Sequence, residues 1–474
     1  MEDLVTETPS RRDTALAYWF SRSGLTQRRL AAEVGKRARA AGLRIHPDGT
    51  RVRRWLEGER PRPPVPQFVA EVLSAHCGRT LTPADLGLDD DQQDDLARYR
   101  GPHDLLATLA QTTPPPHRST GLPPAAVPWE PERLLEALHT WAFTTARPLP
   151  AQAGPGQRLG EADVARIRDC TAAFRALDNA HGGGSTLAAA ASHLAATTHA
   201  VRDGTYTDRT GRLLLRELAD LAGVAGWAAH DAAHWPHAIR YLTLAVHAAR
   251  DSADTNLTAH LLQCLARVWG YLKRPDVAAD CIALALYGCR HHAQPALRAG
   301  LHALAARFAA MQGQTAEVLR NVSQAQDIFD HTPNAPAYVA YLDEPELAST
   351  LGEVMLFLAR TTGEARHATT AVTLLDAAAA HRNPTRVRSR AFDAIAAARA
   401  FVLVGDVDAA HTYAQHAINV ATGLDSTRVK RRFLDLAHEI TPAAGTSPNA
   451  RELRAQLCLA AGVTEPDQWQ QGNR

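Results

Sequence analysis

Pairs of small residues seven apart recur along this chain at a nearly constant interval, and no other feature constrains the fold as tightly. Ala238/Ala245, Ala278/Ala285, Val318/Ala325, Ala371/Ala378 and Ala410/Ala417 have first members 40, 40, 53 and 39 residues apart. Seven residues are close to two helical turns, so each pair puts two small side chains on one helix face, where a neighbouring helix approaches closely. Turn signals ("AAHWPHA", "LKRPDVA", "GQTAEV", "GDVDAA") stand before these helices, and a further apolar helical pattern stands before each turn. The unit is a helical hairpin, which buries one face only against its neighbours and therefore has to stack. The long interval contains an insertion, "HTPNAPAYVAYLDEP". Packing alanines also suit a helical bundle, but a fixed period favours a solenoid, and strand-like alternation is absent after about residue 161.

Three segments follow. Residues 1–88 hold four or five short helical patterns with a compact apolar set: Leu16, Trp19, Phe20, Leu30, Val34, Val52, Trp55 and Leu56. Residues 89–160 are rich in proline ("TTPPPHRSTGLPPAAVPWEP") and read as a linker with short helices. Residues 161–474 form the repeat region, expected to carry sensing and dimerisation. The net charge of +1 conceals an asymmetry: residues 22–62 carry 12 basic against 4 acidic side chains, and "DDDQQDD" follows at 89–95. The polar start "MEDLVTETPSRRD" and the lack of a long apolar run lead to an expected cytoplasmic location without membrane association. The six cysteines are scattered, which indicates free thiols rather than a zinc site or a disulfide frame.

The basic charge concentrates in "DGTRVRRWLEGERPRPP" (Asp48 to Pro64). With Thr50 as N-cap, Val52, Trp55 and Leu56 form an apolar stripe, and Arg51, Arg53 and Arg54 point away from it. The order "LTQRRLAAEVG", a connection, then this helix resembles the helix-turn-helix of the lambda-repressor-like (XRE-type) family. The connection from Gly35 to Gly49 is longer than the ordinary tight turn. The resemblance implies a second helix in the DNA major groove, with base contacts from Arg51 and Arg54, and Arg53 beside them. Phosphate contacts are then expected from Gln27, Arg28 and Arg29, and Thr50 at the start of the second helix belongs to the same DNA-binding set. Over nearly its full length the chain is similar to actinobacterial regulators with such a module followed by a tetratricopeptide-like domain. The residues that carry this are "RVRRWLEGERPRPPVPQ", "TPADLGL", "LDNAHGGGS" and "STRVKRRFLDL". The resemblance implies control of transcription, often of development or secondary metabolism, a palindromic double-stranded operator, a homodimer, and an effector that is a peptide, a small molecule or a partner protein.

Competing chemistry is weak. "HGGGST" has neither the lysine nor the preceding strand of a phosphate loop and reads as a glycine turn between helices. "HDAAH" (His230 to His234) has the histidine spacing of a zinc-protease helix, but aspartate replaces the glutamate base and no third ligand is evident. No nucleophile with a base stands out, so a non-enzyme without metal or cofactor is expected. In stacked hairpins the first helix of each pair lines the concave face. Polar residues among the alanines of those helices, namely Gln263, Arg267, His302, Arg307, Glu353, Arg390 and Asp393, are the candidates for a ligand or partner groove, and their mixed charge favours a peptide or partner segment. The alternative reading is an interaction scaffold whose N-terminal module does not bind DNA.

Overall fold

The computed structural model describes residues 15–88 with short gaps, a few positions within 102–109, and 149–464 apart from 155, 330–335 and 445–446. Among these the chain is all-α, with two isolated β-bridges and no strand. Contacts divide it into two compact units, one holding the described residues up to Leu88, the other those from Pro102 onward.

The first unit packs α1 (Ala15–Arg22), α2 (Gln27–Ala40), α3 (Gly49–Leu56) and α4 (Val65–Cys77) around one core. Leu16, Leu30, Val34, Val52, Trp55, Phe68, Val69 and Leu73 are buried in it, with Trp19, Phe20 and Leu56 partly buried at its edge. The long connection folds back: Leu43 N–H donates to Ala38 O, and Ile45 lies against Gly35. The cap of α3 is not Thr50. Asp48 is the N-cap, its carboxylate accepting the Arg51 N–H at 2.7 Å, and Thr50 is already inside the helix. A carboxylate two residues earlier reaches the third amide of the helix and also complements the helix dipole. At the other end Gly58 N–H bonds Trp55 O and Glu59 N–H bonds Arg54 O, the pair of reversed bonds that closes a helix before the prolines.

The second unit is a series of hairpins: α5 (Glu161–His181) with α6 (Gly183–Asp203), α7 (Asp208–Asp231) with α8 (Trp235–Asp251), α9 (Thr255–Tyr271) with α10 (Pro275–Cys289), α11 (Pro295–Met311) with α12 (Thr315–Ile328), α13 (Glu344–Thr362) with α14 (Ala365–His381), and α15 (Val387–Val404) with α16 (Val407–Val420). α17 (Thr427–Glu439), α18 (Thr441–Ala444) and α19 (Pro448–Ala461) complete it. The seven-residue pairs all fall on second helices and are all buried. The expected linker differs. Residues 89–101 and 110–148 lie outside the described residues, but Leu105, Leu106, Leu109 and Leu149 are fully buried, and Gln152 and Arg158 bridge to Tyr206 and Thr205 between α6 and α7. Short leucine clusters supply apolar surface that the proline-rich average conceals.

The series closes on itself, because α5 packs against α15. The glycine run is the seam. Gly184 N–H donates to Asp425 O at 3.0 Å, and Asp425 N–H returns to His181 O at 2.8 Å. Asp178 holds the Arg388 guanidinium through two bonds of 2.9 and 2.5 Å, across 210 residues of sequence. At Gly182, with φ of +90°, an added Cβ would stand 2.4 Å from the Asp425 carbonyl oxygen.

Three outcomes follow from this packing. Gly182→Ala combines left-handed strain with a clash against backbone, so it should cost at least about 1–3 kcal/mol. Gly405→Ala, also at positive φ but in open space, should cost only the strain; equal melting temperatures for the two variants would refute the seam. Trp55→Ala should remove about 3–5 kcal/mol from the first unit, seen as lost amide protection across α2 to α4 with α7 to α9 unchanged. The third concerns pH. Burial first, then Arg250 beside His247 and Arg175 and Arg267 near His260, push both imidazoles down to about 3. Unfolded histidine titrates near 6.5, so below that pH the unfolded chain binds protons that the folded one refuses. Stability is thus full above about pH 6.5 and falls toward pH 3, by about 2 kcal/mol per histidine at pH 5. Denaturant midpoints at pH 7 and 5 should show the loss, and His260→Gln should shrink it.

Candidate functional site

The first candidate is the outer face of α3. Val52 and Trp55 are buried and fasten the helix to the core, while Arg51, Arg53 and Arg54 are exposed. A methyl group on Gly49 would stand 3.2 Å from Arg28 Cγ, so the starts of α2 and α3 adjoin. Arg28 and Arg29 are exposed there, with Gln27 half-buried and Thr50 exposed. Arg51 faces Glu59 at 3.9 Å and Arg53 faces Glu57 at 3.8 Å, while Arg29 donates to Glu33 at 3.4 Å. Exposed pairs this long contribute at most a few tenths of a kcal/mol each and leave the guanidiniums available to an anion.

The second candidate lies inside the repeat unit. Two adjoining pockets, with about 640 and 940 Å³ of space between their walls, mouths included, are lined by the first helices α7, α9, α11, α13 and α15, joined by α5 and α17. Arg267, Arg307, Glu353 and Asp393 are among the lining residues, as the concave-face argument expects. The other three groove candidates lie elsewhere. Gln263 is fully buried, bonded through its amide nitrogen to His260 and the Tyr341 hydroxyl. His302 bonds Asn321 at 2.9 Å between α11 and α12, and Arg390 is half-buried on α15 away from the pocket walls. Polar character alone did not separate hairpin-internal bonds from groove positions.

The lining is a web of ion pairs. Glu353 meets both Arg307, at 2.7 Å, and Arg432. Burial opposes its ionisation, but the two guanidiniums hold the carboxyl well below the usual range. Arg382 bridges Asp393 at 2.8 Å and Glu346 at 2.7 Å. Asp231 accepts the Gly183 N–H at 2.8 Å and the Ser426 hydroxyl at 2.9 Å, with Arg388 at 3.2 Å. His230, next to it, is buried beside the Trp227 and Tyr271 rings. In "HDAAH" the aspartate therefore serves the seam, and the first histidine lies buried at the wall of the smaller pocket. No group of three or more His, Cys, Asp or Glu among the described residues is placed to hold a metal, and no described helix is long and apolar enough to cross a membrane.

Sequence reasoning missed Tyr338 and Tyr341, which line the larger pocket from the inserted segment, Tyr338 donating to Asp254 at 3.2 Å. The interrupted period was their signal, since an insertion into an otherwise regular array has to be accommodated on one face. It also missed Arg382 and Arg432, which tie α13 to α15 and α17, and Arg388 and Arg428, which reach Asp178 and Asp231 across the closure.

Residues 16–89 match the SP15 N-terminal domain family, so this part of the chain is similar to that domain and the helical repeats lie outside the match. No curated protein matches the chain.

Proposed function

We propose that this protein is a sequence-specific transcriptional regulator that binds double-stranded DNA through its first unit, while its helical repeats sense an effector and mediate homodimerisation in the cytoplasm. The observation that carries the reading is the split of α3: Val52 and Trp55 fixed in the core, Arg51, Arg53 and Arg54 turned outward, and the basic start of α2 adjoining its N-terminus. A short basic helix held by one face presents three planar forks, which suit guanine edges and phosphates alike. Arg51 and Arg54 would read bases, and Gln27, Arg28 and Arg29 would hold the backbone of one strand. One such small unit binds too weakly to choose a single site in a genome, which is the argument for a dimer on a palindrome. Leu459, 79% exposed on the last helix α19, supports a dimer contact at that end of the repeats.

The test is selection of a duplex from a random library by the full-length protein, followed by affinities in a salt series. Several phosphate contacts should steepen the fall so that affinity drops about 10³-fold or more between about 50 and 200 mM salt. Arg54→Ala should cost about 1–3 kcal/mol and relax the selected sequence, whereas Arg28→Ala should weaken all duplexes alike and lower the salt slope by about one. A chain that selects no duplex, or binds without a salt slope, is the interaction scaffold instead.

A further inference from the structure

The two pockets share a wall made of Trp227, Arg267, Glu346, Ser389, Phe392 and Arg428. Around them the described lining holds eight arginines against five carboxylates. Where one acid meets two arginines, the wall residues get the worse share. Glu346 takes Arg382 at 2.7 Å and leaves Arg267 at 3.8 Å. Asp231 takes Arg388 at 3.2 Å and leaves Arg428 at 3.7 Å. Arg428 is 8% exposed, and its Nη1 has no hydrogen-bond partner among the described residues. Its guanidinium lies 5.0 Å from the Trp227 ring centre and 4.8 Å from that of Phe392. Burial first, then the cations of Arg388 and Arg432, press Arg428 down to about 10 despite Asp231, and burial with too little compensation does the same to Arg307.

A buried donor without an acceptor is costly, and such groups are rare in folded chains. Here the unmet need is for negative charge, because each lining acid already accepts from arginine or faces one. That differs from the mixed-charge expectation of a peptide: the acids in the groove are spent, and what the wall offers is donors and aromatic faces. A concave site with a few convergent polar groups among rings suits a small molecule.

We propose that this chamber binds a small organic anion, its carboxylate-like group on Arg428 and Arg267 and its flat apolar body against Trp227 and Phe392. Calling that anion the effector rests on the regulator reading; the site itself does not.

The probe is 2-naphthoate, titrated calorimetrically into the full-length protein, with neutral 2-naphthamide as its control. Naphthoate should saturate one site per chain, at least about tenfold more tightly than the amide, since one charge-assisted bond accounts for that ratio. Arg428→Gln should erase the preference, and Arg267→Gln, the second variant in case the first unfolds, should reduce it; melting curves establish that each is folded. Equal affinity for acid and amide, no saturation below about 1 mM, or a preference unchanged in both folded variants overturns the proposal. A protein that binds naphthoate but selects no DNA loses only the regulator reading, and one that selects DNA but ignores naphthoate loses only this site.

Discussion

The repeat unit depends on one buried carboxylate. Asp231, at the end of α7, receives the N–H of Gly183 at the first residue of α6 and the hydroxyl of Ser426, the N-cap of α17, while Arg388 of α15 approaches from a third side. The N-terminus of α6 therefore points its partial positive charge at it, the cap residue of α17 adds a hydroxyl, and a cation completes the shell. Burial works against its ionisation, yet Arg388 and Arg428 hold it below the usual carboxylate range. A buried charge is tolerable only when every lone pair is met, so the elements that meet it are held in register. Stacked hairpins left to themselves form an open superhelix. This one is fixed from its first hairpin to its last helices, and the concave side becomes a chamber.

The glycines make that closure sterically feasible. A Cβ on Gly183 would stand 2.4 Å from Ala228 O, so Gly182 and Gly183 exclude a side chain without backbone movement, and one on Gly184 would displace the Asp425 carboxylate. The sequence shows a run of glycines and a turn between helices, both of which are found. It cannot show that the opposing surface comes from a loop more than 200 residues further on, because nothing local to "HGGGST" records it.

The same distinction runs through the rest of the molecule. Period and small-residue spacing are local properties of helix geometry, and they led to the right hairpins with the right faces inward. Trp55 and Val52 were legible as core because burial on a short amphipathic helix follows from a three-residue interval. Asp48 and Thr50, two positions apart, are both good caps, and only backbone geometry decides for Asp48 over the expected Thr50. In the chamber, Arg267, Arg307, Glu353 and Asp393 were legible from helix position, whereas Tyr338 and Tyr341 arrive from an insertion that broke the pattern being followed. Arg428 stands within "STRVKRRFLDL" with no local mark of its role, and its place on the wall is a consequence of the closure.

Composition and architecture meet in the arginines. Only Lys36, Lys273 and Lys430 among the 51 basic residues are lysine. In the chamber this bias has a structural meaning, because the bridges there need forks. Arg382 gives Nε and Nη2 to Asp393, Nη1 to Glu346 and Nη2 also to the Pro345 carbonyl, joining α13 to α15 through a single side chain. Arg388 likewise spans Asp178 of α5 and Asp231 of α7. An ammonium is a compact point charge without the rigid spread of donors that fits two carboxylates from different helices at once. With guanidiniums the helices are tied crosswise to their neighbours, at the cost of more positive charge than the acids of the wall can satisfy. The unmet donor of Arg428 is where that excess comes to rest.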